Sequence, residues 1–109
     1  GQLKYQGKVK NNQYIQNAQN AAKLCIINAL SQLNTYFGTL EHIEKIVKVS
    51  GFVNSEEGFT EHPKVINAAS DLLVDIFGEK GRHTRIAVGV SSLPLNATVE
   101  IDMIVEISE

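Results

Sequence analysis

The sequence has no tryptophan, one cysteine, two prolines and no tract of biased composition among its 109 residues. A lone thiol, Cys25, cannot form an internal disulfide and cannot by itself hold a metal, so the expectation is a reducing, cytoplasmic setting with no metal site. No apolar run approaches the 18 or so residues that cross a bilayer, and no charged start with an apolar middle marks a secretory leader, so a membrane partner is not expected. Positive charge is also scarce: 10 Lys and Arg stand against 12 Asp and Glu, a net charge of −2, with no basic stripe. Nucleic acid is therefore not the expected partner, because its binding draws on clustered positive charge.

What remains is an ordinary globular composition, 43% hydrophobic and 20% charged, on a length that supports a single domain over residues 1–109. Leu3 to Val9 reads as a short strand bounded by glycine. From Gln13 to Phe37, Ile15, Ala18, Ala21, Ala22, Cys25, Ala29, Leu30 and Leu33 recur at steps of three and four, so this segment reads as an amphipathic helix closed by Gly38. Ile43 to Val53 is rich in β-branched residues and reads as a strand entering the turn Asn54-Ser55-Glu56-Glu57-Gly58. A second helix opens at Pro63 and carries Val65, Ile66, Ala69, Leu72, Leu73, Ile76 and Phe77 to Gly78. Two alternating strands follow, Arg85 to Ser91 and Ala97 to Ile107. The order strand, helix, strand, helix, strand, strand predicts an α+β fold, one mixed sheet with two helices on a single face.

Strand parity then points to a candidate site. If Ile86, Val88 and Val90 face the helices, Arg85, Ala87, Gly89 and Ser91 face away, and the same alternation puts Glu100, Asp102 and Glu106 on that far side. A guanidinium that can hold a carboxylate through two parallel hydrogen bonds would then share a face with a glutamate able to orient water, beside residues small enough to admit a ligand. Taken alone the pair proves little, since an Arg and a Glu on neighbouring strands are more often a solvated salt bridge. Of the other polar candidates, Cys25 reads as a packing thiol, and His42, His62 and His83 read as surface or capping residues without metal-ligand spacing.

The segment Gly81 to Asp102, GRHTRIAVGVSSLPLNATVEID, adds a more specific signal. Arg85, Leu93-Pro94 and Val99-Glu100-Ile101 resemble the C-terminal signature of the Rid (YjgF-like) family. Ser50-Gly51-Phe52-Val53 resembles that family's central strand, and Val65-Ile66-Asn67-Ala68 the start of its second helix. Gly81-Arg82-His83 with Ala87-Val88-Gly89-Val90 is most similar to the branch called chorismate-mutase-like or endoribonuclease.

The resemblance implies a chorismate-mutase-like fold that forms homotrimers with clefts between subunits, and hydrolysis of small reactive 2-imino or 2-enamino acids to 2-keto acids and ammonia without a cofactor. It implies that Arg85 grips the substrate carboxylate and Glu100 positions water, with Ala87 and Gly89 lining the substrate's place and Asn67 and Phe52 supporting. A noncatalytic sensor of small carboxylates is the alternative, and an endoribonuclease ranks below both. The chain departs from the family pattern in three ways. It starts after the expected first strand pair, it has Ala87 where a cysteine is frequent, and it has Ser92 where a basic residue often precedes Leu-Pro.

Overall fold

A computed structural model describes residues 4–108. Two long helices, α1 (Ile15–Phe37) and α2 (His62–Phe77), lie side by side on one face of a three-stranded mixed sheet built from β1 (Ile43–Asn54), β2 (Thr84–Val90) and β3 (Val99–Ile107). The strand order is β2-β1-β3, with β1 parallel to β2 and antiparallel to β3. This is the α+β architecture the residue pattern implies.

Helix α1 buries Ile15, Ala18, Ala21, Ala22, Ile26 and Leu30, a stripe at steps of three and four. Three alanines in that stripe let α1 approach α2 closely. The helix stops at Gly38, whose φ of 79° is left-handed and whose amide donates to the Asn34 carbonyl at 2.8 Å. Helix α2 carries Pro63 in its first turn, where a missing N–H costs nothing, and buries Val65, Ile66, Ala69 and Leu73.

In β1 the buried residues Ile43, Ile46 and Val49 are three apart, and Val49, Gly51 and Val53 are two apart. The three-residue steps coincide with register shifts against β3 between Ile43 and Lys45 and between Ile46 and Lys48, where an extra residue resets the alternation. Beyond them the period of two is strict. Ile66 of α2 lies directly on Gly51, where an added Cβ would sit 2.5 Å from the Ile66 Cδ1. Small residues in the sheet therefore mark the place where α2 comes nearest.

The segment before α1 is not the continuous strand its sequence predicts. Leu3 lies outside the described residues, and the rest forms no strand ladder, pairing only through the isolated bridges Gln6 to Ala97 and Val9 to Ser55. Gly7, at φ 105°, turns the chain out of the extended region between those two points. Asn54, wholly buried at the end of β1, ties the corner together: its amide donates to Asn96 Oδ1 and the Ala97 carbonyl at 3.2 and 3.0 Å, and its oxygen accepts from Lys8 Nζ at 3.0 Å. The Leu93-Pro94 motif opens a tight turn in which Leu95 and Asn96 both take φ of 57°, returning the chain from β2 to β3.

Candidate active site

Parity places Arg85 opposite to the sequence expectation. Across the β1–β2 ladder Arg85 pairs with Val49 and Ala87 with Gly51, and both β1 partners are buried beneath the helices. Arg85 accordingly reaches toward α2, where its Nη1 donates to Asn67 Oδ1. Ala87 packs on the core, and Gly89 lies against Ser55 and the His62 ring at the start of α2. The large apolar residues of β2 face the other way: Ile86 and Val88 are 45% and 39% exposed on the side that carries no helix. The physical reason is the close approach of α2, which tolerates only alanine and glycine beneath its first turns and pushes the bulky side chains outward.

The alternation expected for β3 is observed. Ile101, Met103, Val105 and Ile107 pack toward the helices, and Glu100, Asp102 and Glu106 are exposed on the opposite side. Glu100 pairs with Phe52 across β1 and β3, on the helix-free face and one strand removed from β2. Within one chain, then, Arg85 and Glu100 stand on opposite faces of the sheet. Asn67 joins Arg85, and Phe52 joins Glu100. Ala87 lies under the helices instead of lining an open cleft, and the space beside Gly89 is already filled by Ser55 and His62.

On its own face Arg85 borders a shallow depression of about 270 Å³ together with Ser70, Asp71, Val74, Arg82 and His83. Sequence reasoning missed four of these residues and set His83 aside as a surface residue. The signal that was present is helical spacing, since Asn67, Ser70, Asp71 and Val74 fall on one side of α2 at steps of three and four. His83 Nδ1 is 2.6 Å from the Gly81 carbonyl oxygen and Nε2 is 2.8 Å from Ser70 Oγ. A carbonyl oxygen can only accept, so Nδ1 carries the proton and Nε2 of the neutral ring accepts from the serine hydroxyl.

The depression is bordered by two guanidiniums, Arg82 and Arg85, and by the Asp71 carboxylate. Arg82 pairs with Glu79 at 3.1 Å, but both side chains are largely exposed and such a pair is weak. Among the described residues no carboxylate lies within ion-pair distance of Arg85. Elsewhere, the Cys25 thiol is half-buried and is pushed above its ordinary range, first by burial and then by the Glu100 carboxylate. Among the described residues no three His, Cys, Asp or Glu side chains gather to hold a metal ion, and no helix is long and apolar enough to cross a membrane.

Comparison with known proteins agrees with this architecture. Protein TCP17 of Trypanosoma cruzi is 46% identical over 91 residues, 83% of this chain, and the chain spans only 57% of TCP17's length. The crystal structure of Atu1372 from Agrobacterium tumefaciens, a protein of unknown function, superposes with a TM-score of 0.92 at 45% identity, covering 99% of this chain and 69% of that one. A protein described as a putative endoribonuclease from Shewanella oneidensis MR-1 gives 0.90 at 36% identity, covering 98% and 71%. The model of the YjgF/chorismate mutase-like, putative endoribonuclease family matches residues 1–107, and the chain belongs to that family.

Proposed function

We propose that the protein binds a small carboxylate-bearing metabolite through Arg85 and hydrolyses reactive 2-imino or 2-enamino acids to 2-keto acids and ammonia. The observation that carries this reading is the Arg85 guanidinium itself. Asn67 holds one of its nitrogens, and among the described residues no carboxylate lies within ion-pair distance of it. Its remaining N–H groups are free to grip a planar carboxylate in two parallel bonds, which fixes both position and orientation. With the acid held, the imine carbon is presented to water in one geometry, and the reaction needs only proton transfers.

Glu100 enters this scheme from a second copy of the chain. It cannot serve Arg85 of its own chain from the other face of the sheet, yet that face carries Ile86, Val88 and Ile104, each 39% exposed or more, beside half-buried Phe52. Exposed apolar residues set among Glu100, Asp102 and Glu106 on this face can seat a partner, and a homotrimer of the type the resemblance implies supplies one. A cleft between subunits then combines Arg85 of one copy with Glu100 of the next, where the carboxylate orients the attacking water.

The test is calorimetric binding of 2-oxobutyrate beside keto-acid formation from enzymatically dehydrated threonine, on the full-length protein. Arg85→Ala is expected to abolish both, because a charge-assisted bidentate contact contributes about 3 kcal/mol, more than a hundredfold in affinity. Undiminished binding in that variant contradicts the reading. RNA cleavage is a second reading, favoured by two guanidiniums and an imidazole around one depression. It requires that an RNA oligonucleotide, and not 2-oxobutyrate, compete for Arg85.

A further inference from the structure

We propose that His83, with Ser70 as its relay, is the proton-transfer group of the Arg85 site. The inference rests on the reading of Arg85 as the carboxylate grip, and adds what moves the protons on the helix side of the sheet.

His83 is held from two sides. Its Nδ1 meets the Gly81 carbonyl at 2.6 Å, and Gly81 is fixed in turn because any side chain there would collide with the Leu73 carbonyl of α2. Its Nε2 meets Ser70 Oγ at 2.8 Å, and both residues border the same depression as Arg85. The ring thus has one tautomer when neutral, with its lone pair directed at a hydroxyl that itself lines the depression. A serine hydroxyl both donates and accepts, so the contact survives whether the imidazole is neutral or protonated. That is the requirement for a relay. The charged groups around the same depression are Asp71 from α2, Arg82 from the turn and Arg85 from β2.

The chemistry balances without a co-reactant. Water adds its oxygen to the imine carbon, its proton passes through Ser70 Oγ to His83 Nε2, and the imine nitrogen takes a proton from solvent. The resulting carbinolamine then breaks its C–N bond. The imidazolium returns its proton to the departing nitrogen through Ser70, the nitrogen leaves as ammonia, and the hydroxyl releases its proton to solvent as it becomes the keto oxygen. Imidazole suits this exchange because one ring nitrogen can take up and return a proton while the other keeps its own.

The experiment compares Ser70→Ala, Ser70→Thr and His83→Gln in the full-length protein, each checked for a native thermal transition. The expected result is a kcat lowered at least tenfold in Ser70→Ala and His83→Gln, with KM and 2-oxobutyrate affinity within about twofold of the original. Ser70→Thr, which keeps the hydroxyl, retains most of kcat. If His83→Gln does not fold, the contrast between Ser70→Ala and Ser70→Thr decides alone. Equal kcat in Ser70→Ala and the unaltered protein overturns the inference while leaving Arg85 in place. Unaltered protein that forms no keto acid, or Arg85→Ala that still binds 2-oxobutyrate, overturns the underlying reading and this inference with it.

Discussion

Gly89→Ala separates the two possible orientations of β2. Were Gly89 on the open face, as the apolar alternation of its neighbours implies, an added methyl would meet nothing and would relieve the entropic cost of glycine in a strand, a gain of about 0.5–1 kcal/mol. In the structure the new Cβ would lie 2.8 Å from Ser55 Oγ and would press into the His62 ring. That ring cannot simply swing aside, because it bonds Ser55 at 3.1 Å and sits edge-on to Phe59 with centroids 5.1 Å apart. Overpacking of this kind costs about 1–3 kcal/mol, and loss of the Ser55–His62 hydrogen bond adds about 1 kcal/mol. Less the glycine term, the net loss is about 1–3 kcal/mol, read as a fall of roughly 1 M in the urea midpoint. A midpoint unchanged or raised would refute the placement of Gly89, and with it the side of the sheet assigned to Arg85.

Leu95→Gly is expected to stabilise the protein by about 1 kcal/mol in the same assay, because Leu95 holds a left-handed φ of 57° while 78% exposed and its side chain contributes little packing. Cys25 should react slowly with iodoacetamide near neutral pH, and Glu100→Gln should speed the reaction severalfold by removing the charge that helps raise the thiol. The same raised thiol binds its proton more tightly folded than unfolded. Its share of stability is therefore complete below the ordinary thiol value and is lost as pH rises from there toward the raised value, a loss that Cys25→Ala should remove from alkaline unfolding curves.

The elements were legible because each rests on a local rule. Alanine and isoleucine at three- and four-residue steps give α1, Pro63 and Gly78 bound α2, and alternation gives β2 and β3. What alternation cannot give is its phase. Ile86 and Val88 form as good a buried face as Ala87 and Gly89 form an empty one, until it is known that α2 must pass over β1 and β2 at close range. The hint lay across strands, in the small residues Gly51 and Ala87 that pair directly in the ladder. It becomes readable only once that pairing is fixed. Arg85 was legible as a residue type and its helix partner Asn67 by resemblance, whereas the His83–Ser70 contact joins residues thirteen apart through a turn whose shape the sequence does not spell out. The short N-terminal strand failed for a local reason, the left-handed turn at Gly7.

Mixing two inactive variants tests whether one cleft draws Arg85 from one copy of the chain and Glu100 from another. Arg85→Ala and Glu100→Gln chains, co-refolded in equal amounts, should recover about a quarter of the original keto-acid-forming activity, because in a closed ring about one junction in four pairs an intact Arg85 with an intact Glu100. Activity that stays at the level of the separate variants, in an assembly shown to be mixed, would contradict that shared cleft.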